Sequence, residues 1–468
     1  MENLLVMKFG GTSMGSAERI RTAADLAARE KQHRPVLVVV SAMSKVTDLL
    51  LDAMRHAEAG DRAGLDAHLQ TLQDRHLETL RELLPADKQE AAHGGVLSLV
   101  ADFQRLAQGM LMLNERPARA ADEAVSIGER LSALLISAYL ESEGIRSLAI
   151  NAATVIVTDA LFGNASPLME PTREKARRDL LPWLESGVLP VVTGFNGATA
   201  DGRPTTLGRG GSDFSASILA AVLDAAEVWI WTDVDGIMTA DPRLVPEAKV
   251  LPEVTYNEAA ELAYNGAKVL HPRTLAPLIE REIPVWSKNS FAPEKPGTKI
   301  VSHLNGRRGA RAVTSTASVA LIALEPSAAV VGARLMARAL DALGRANIEI
   351  LALTSSSFRQ SFCFLVRQGE LSAALESLEA ALSLEFAHGY LKPVEVDEDV
   401  GLLAVAGEGM RGETGIAGRL FTAISREQVN IIAIAQGSSE LTISIVVRRD
   451  GLEKAVRAVH GECRLGEE

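Results

Sequence analysis

The run Val36-Leu37-Val38-Val39-Val40 constrains this chain more than any other. It is continuous, apolar and mostly β-branched, so as a strand it has no face to offer to water and must be covered on both sides. That requirement points to a parallel sheet between two layers of helices. Other runs read the same way: Leu4 to Met7, Ser147 to Ile150, Val155 to Thr158, Gly187 to Val192, Glu227 to Trp231 and Ile283 to Lys288. Between them lie helical spacings, such as Ile20, Ala23, Ala24, Leu26 and Ala27, and an Ala-, Leu-, Arg- and Glu-rich stretch from Leu49 to about Leu113. The expected fold is α/β, a three-layer sandwich with a mostly parallel central sheet.

The strand ends carry the chemistry. Residues 8–13, 41–48, 193–197 and 232–243 are rich in Gly, Ser, Thr and Asp, and open parallel sheets bind ligands at this carboxyl edge. A fifth stretch, Thr205-Thr206-Leu207-Gly208-Arg209-Gly210-Gly211-Ser212-Asp213, precedes a helical pattern. Its glycines can turn backbone N–H groups toward an anion at a helix start, and Arg209 adds a fork of donors. The plainer reading is a turn capped by Ser212 or Asp213. Lys8, just before Gly10 and Gly11, is placed to reach a phosphate, although a lysine ahead of the glycines is not the P-loop order. Glu129 and Arg130, taken alone, read as a solvated helix face. Asp233, Asp235 and Asp241 lack the spacing and terminal glutamate of a calcium loop.

A chain of 468 residues needs more than one core. Its net charge of −12 argues against nucleic acid or an anionic membrane as partner. No apolar run reaches the roughly 20 residues of a membrane span, and the first residues read as a strand instead of a signal peptide. A cytoplasmic location is expected. Cys363 and Cys463 make no disulfide framework, and Cys363 reads as a buried, inert thiol. His56, His68, His76 and His93 read as solvated surface.

Past the Pro- and Gly-containing segment Phe291–Thr298 lies an internal repeat with an offset of 81 positions: Ile348-Glu349-Ile350-Leu351-Ala352-Leu353 against Val429-Asn430-Ile431-Ile432-Ala433-Ile434. Each run follows an amphipathic helix and leads into another strand. Strand–helix–strand–strand–helix–strand, twice, gives two small ferredoxin-like α+β modules. Gly407-Glu408-Gly409-Met410-Arg411-Gly412 fits G-x-G-x-x-G, but no acidic residue stands about 20 positions on. It reads as a loop crowding a small ligand or a partner subunit.

Lys8-Phe9-Gly10-Gly11-Thr12-Ser13, Leu207 to Asp213, Trp231 to Gly236, Asp241-Pro242-Arg243 and Gly266-Ala267-Lys268-Val269-Leu270-His271-Pro272, in that order, resemble the motifs of the aspartate kinases. The repeat resembles that family's tandem ACT modules. The second module is most similar to the threonine-sensitive branch, here expected without a fused homoserine dehydrogenase domain. The resemblance implies a catalytic domain over 1–298, a linker over 299–315 and ACT modules over 316–395 and 396–468. It implies transfer of the ATP γ-phosphoryl group to the β-carboxylate of L-aspartate, with magnesium riding mainly on the phosphates.

By the same resemblance, Lys8 and Asp213 are catalytic. Ser41, Thr47, Glu129, Thr206, Arg209, Gly210, Gly211 and Ser212 hold aspartate, Arg209 at its α-carboxylate and Glu129 at its ammonium group. Lys8, Phe9, Gly10, Gly11, Thr232, Asp233, Arg243, Lys268 and Val269 hold ATP. Asn430 and Gln436 mark an effector site for threonine or lysine, and the ACT modules pair chains into a homo-oligomer. Two departures stand out. Met238 occupies a position usually filled by tyrosine, and Glu349 and Ser355 stand in the first module where the second has Asn430 and Gln436.

Overall fold

A computed structural model describes residues 3–267, 270, 272–304, 309–327, 332–356 and 361–467. The chain forms two units. One comprises Met1–Gly236, Pro252–Tyr256 and Leu270–His303; the other comprises Ile237–Leu251, Asn257–Val269 and Leu304–Glu468.

The strands of the first unit are β1 (Leu5–Phe9), β2 (Val36–Val40), β3 (Ser147–Ile150), β4 (Val157–Thr158), β5 (Leu189–Thr193), β6 (Asn196–Thr199), β7 (Pro204–Thr206), β8 (Glu227–Thr232), β9 (Glu253–Thr255), β10 (Val285–Asn289) and β11 (Thr298–Val301). Eight form one sheet in the order β3-β5-β2-β1-β8-β10-β11-β9, parallel throughout except at β10–β11. Strands β4, β6 and β7 make a small second sheet.

Strand β1 is central and entirely buried. Leu5, Met7 and Phe9 join Val36, Val38 and Val40 in one core with the helices at 17–31, 46–58, 62–83, 89–113 and 127–142. Side chains alternate along a strand, so Val6 and Lys8 face the opposite layer, which contains helix Gly211–Val222. Each buried aliphatic side chain contributes about 1.5–3 kcal/mol, so the fully apolar β2 is explained by burial on both faces. Helix Ala17–Lys31 begins where Ser16 accepts the Arg19 N–H, and it buries Ile20, Ala23, Ala24 and Ala27.

The second unit has β12 (Ala312–Leu324), β13 (Ala352–Ser355), β14 (Phe362–Arg367), β15 (Glu395–Ala406), β16 (Ile431–Gln436) and β17 (Thr442–Arg448). They form one antiparallel sheet, β13-β14-β12-β15-β17-β16. Two ferredoxin-like modules are present, but they contain six strands between them, not eight. The Val319–Leu324 half of β12 pairs with β14, and the Val400–Ala406 half of β15 pairs with β17. Each remaining half pairs with the other long strand, Ala312–Thr316 against Leu402–Ala406 and Leu321–Ala323 against Glu395–Asp397. Each module thus takes its fourth strand from the other.

Several expectations are corrected. Ile237–Leu251 and Asn257–Val269, placed by sequence in the catalytic segment, group with the tail, because Ala240 and Val245 belong to the apolar cluster of Leu420, Val456 and Val459. The 299–315 linker instead contains most of β11 and the start of β12. His76 is completely buried: its Nδ1 bonds the Leu72 carbonyl oxygen at 2.7 Å, and Nε2 has no partner among the described residues. Cys363 is half-buried instead of buried, while burial pushes its thiol up, in keeping with the inert thiol expected. The glycine signature at 407–412 serves the chain's own backbone, since a Cβ on Gly407 would lie 2.6 Å from the Gly309 carbonyl oxygen.

Candidate active site

The loops at the carboxyl ends of β1 and β2 and the start of helix Gly211–Val222 enclose a cleft of about 570 Å³. The Gly10 N–H donates to the Trp231 carbonyl at 3.2 Å and the Ser41 N–H to the Phe9 carbonyl at 3.1 Å, so neighbouring strand ends are tied together beneath it. Lys8 and Asp213 meet across the cleft, with Nζ 2.6 Å from Oδ1. This is an ion pair whose angles miss those of a hydrogen bond, and Oδ1 is buried with no hydrogen-bond partner among the described residues.

Glu129 also lines the cleft and is only 3% exposed. One carboxylate oxygen accepts the Ala42 N–H at 3.1 Å; the other has no partner among the described residues. Burial pushes its carboxyl up to about 8, against the pull of the Ala42 N–H. Burial thus favours the protonated carboxyl at neutral pH. Arg209 is exposed on the cleft wall with no partner among the described residues. Ser41, Thr47, Gly210, Gly211 and Ser212 also line it, as do Gly11, Phe195, Lys45 and Asp48.

Thr206 does not line the cleft. Its N–H and hydroxyl donate to the buried Asp122 carboxylate at 2.9 and 2.8 Å, and the Gly163 N–H donates to the same group at 2.8 Å. Phe9 is fully buried and stacked on Trp231, ring centroids 6.0 Å apart, so its side chain offers nothing to a ligand. Thr232 ends β8 and its hydroxyl donates to Asp233. Arg243 belongs to the second unit, where it chelates Asp241. Lys268 and Val269 lie outside the described residues. Asn430 and Gln436 are exposed at the two ends of β16, whereas Glu349 is held by Arg367 at 3.1 Å.

Sequence reasoning missed the supports of the Arg209 loop. Arg273, from helix Pro272–Ile279, donates to Asn164 Oδ1 at 2.5 Å, to the Leu207 carbonyl at 3.3 Å and to the Ala165 carbonyl at 2.8 Å. Gly208, at φ +74°, leaves only 2.5 Å between a would-be Cβ and the same Asn164 oxygen. Position 273 follows directly on the Gly266–Pro272 segment, which was the one available signal.

Residues 3–289 match the amino acid kinase family and residues 403–463 an ACT domain. Lysine-sensitive aspartokinase 3 of Escherichia coli is 33% identical over 466 residues, covering 98% of this chain and 99% of that one. The chain belongs to the aspartokinases of the amino acid kinase family. Aspartokinase crystal structures share its architecture. That of E. coli aspartokinase III with aspartate and ADP, in the R-state, superposes with a TM-score of 0.83 at 30% identity over 98% of this chain and 99% of that chain. The same enzyme with lysine and aspartate, in the T-state, gives 0.82 at 30% identity and the same coverage. A bifunctional aspartokinase/homoserine dehydrogenase of Arabidopsis thaliana is 32% identical over 98% of this chain but 51% of its own length. The chain spans about half the length of such bifunctional aspartokinase relatives. Identity alone does not separate the lysine-sensitive from the bifunctional aspartokinases.

Proposed function

We propose that the chain transfers the γ-phosphoryl group of ATP to the β-carboxylate of L-aspartate, giving 4-phospho-L-aspartate at the head of lysine, threonine and methionine biosynthesis. The observation that carries this reading is the cleft itself, which brings together a lysine–carboxylate pair, an arginine without a partner among the described residues and a buried glutamate whose carboxyl is pushed up to about 8. Arg209 suits the α-carboxylate of an amino acid, and Glu129 suits its ammonium group, to which it would yield its proton. The acceptor carboxylate has a free pKa of about 3.9 and is already ionised, so no general base is required. What remains is to bring one anion against another, which is a matter of positioning and charge neutralisation.

Lys8 and the Gly11 N–H would receive the transferring phosphate, with Thr232 and Asp233 on the nucleotide side; the Gly10 N–H is already given to the Trp231 carbonyl. Magnesium fits as an ion carried by the phosphates: among the described residues no cluster of three or more ligating side chains is arranged to hold a metal. When bound, it supplies charge neutralisation of the phosphates. The ACT modules would bind an amino-acid effector, threonine or lysine, near Asn430 and Gln436, and would pair chains into a homo-oligomer.

A coupled ATP-turnover assay with aspartate, with glutamate and without acceptor tests the activity. Turnover that depends on aspartate is expected; turnover with glutamate alone, or none, overturns it. Repeating the assay with threonine and with lysine tests regulation. Inhibition lost in Gln436 variants and retained in Ser355 variants is expected, and the reverse pattern overturns the assignment to the second module.

A further inference from the structure

Lys45 stands in the left-handed region, at φ +63° and ψ 3°, as the residue that begins helix Val46–Glu58. A non-glycine side chain is strained in this conformation, and glycine would avoid the strain. Most of the other non-glycine residues with positive φ follow the last turn of a helix, where the left-handed region closes the turn: Asn114, Asp224, Glu282, Asn347, Gln428 and Arg464. Lys45 has no such reason. Phe195, a second residue of this kind at φ +72°, lines the same cleft.

The charges of the cleft give the side chain a purpose. Lys8, Lys45 and Arg209 are the basic residues among those lining it. Lys8 is already paired with Asp213 at 2.6 Å. The acceptor brings two carboxylates, of which Arg209 suits one. The second must approach a phosphoryl group that is itself anionic, and the pair needs a cation that is not already spoken for. Lys45 is exposed, and its ammonium group has no hydrogen-bond or ion-pair partner among the described residues.

We propose that Lys45 is a catalytic residue, whose ammonium group contacts the acceptor carboxylate and the phosphoryl group as they meet, and that the strained backbone at its position is retained for this contact. The inference rests on the kinase reading above. No proton is transferred by Lys45; it stays an ammonium ion throughout and lowers the repulsion between the two anions.

Lys45→Gly and Lys45→Met, compared with wild type and Lys45→Arg, test it by steady-state kinetics and thermal melting. Expected are a fall of about 100-fold in kcat/KM for aspartate in the Gly and Met variants and partial recovery in the Arg variant. The melting temperature of Lys45→Gly should equal or exceed that of wild type, because the strain is relieved while activity is lost; a merely structural lysine would move both together. Wild-type kinetics in both the Gly and Met variants overturn the inference alone. Silence of the wild type with every acceptor overturns the kinase reading and the inference with it.

Discussion

Lys8 and Asp213 lie 2.6 Å apart, one at the end of the central strand and the other in the first turn of helix Gly211–Val222. Strand alternation turns Lys8 toward this helix layer and away from the core of Phe9 and Met7, so the ion pair follows from the register of β1. An acidic residue in a first helical turn is also favourable on its own account. Lys8→Met should therefore lower kcat by about 1,000-fold or more while circular dichroism and melting temperature stay near wild type. Turnover within tenfold of wild type would remove Lys8 from the reaction.

Glu129 supplies a pH signature. Burial pushes its carboxyl up to about 8, so binding an ammonium group beside it at neutral pH should release a proton. The KM for aspartate should fall as pH rises toward 8, and Glu129→Gln should raise KM by about tenfold and flatten that dependence. The stability effect has the opposite sense. The unfolded chain loses this proton near the ordinary value of 4.5 and the folded chain does not, so stability declines between pH 4.5 and 8, and the Gln variant lacks that decline. Parallel pH profiles of KM in the two proteins would refute the assignment.

His76 acts at the other end of the scale. Desolvation lowers its pKa to about 4, so between pH 6.5 and 4 the unfolded chain binds the proton and the folded chain does not. About 3 kcal/mol of stability present above pH 6.5 should be lost as pH falls through this window. Denaturant titrations of His76→Phe should lose that acid dependence; an unchanged slope against pH would exclude His76 as its source.

Arg273 should act on the acceptor and not on the nucleotide. Its guanidinium ties Asn164, Ala165 and Leu207 together immediately before Arg209. Arg273→Ala should raise KM for aspartate about tenfold, leave KM for ATP within twofold and cost about 1–3 kcal/mol in stability. Equal effects on the two Michaelis constants would mean that the residue supports the unit as a whole.

Much of the fold was legible because burial on two faces leaves an unmistakable apolar run: β1, β2, β5 and β8 stand where such runs occur. The 81-residue repeat was legible for the same reason. Features set by tertiary partners were not. His76 looks like any surface histidine of an Ala- and Leu-rich helix until the layer above it is known. Glu129 reads as solvated until Ala42 closes over it, and Thr206 reads as a ligand until Asp122 is found beneath it. The 237–251 stretch carries family residues of the catalytic half, yet its packing partners, Leu420 and Val456, come nearly two hundred residues later. The left-handed backbone of Lys45 leaves no mark on the residue type at all.

Strands β12 and β15 finally make the tail a splice instead of a tandem. Excising either module would strip the other of an edge and leave a row of unpaired backbone groups, an invitation to aggregate. A one-residue slip between these two strands would turn the side chains of both modules inside out at once. Whatever one half of this tail senses is thus written in the same hydrogen-bond ladder that aligns the other half.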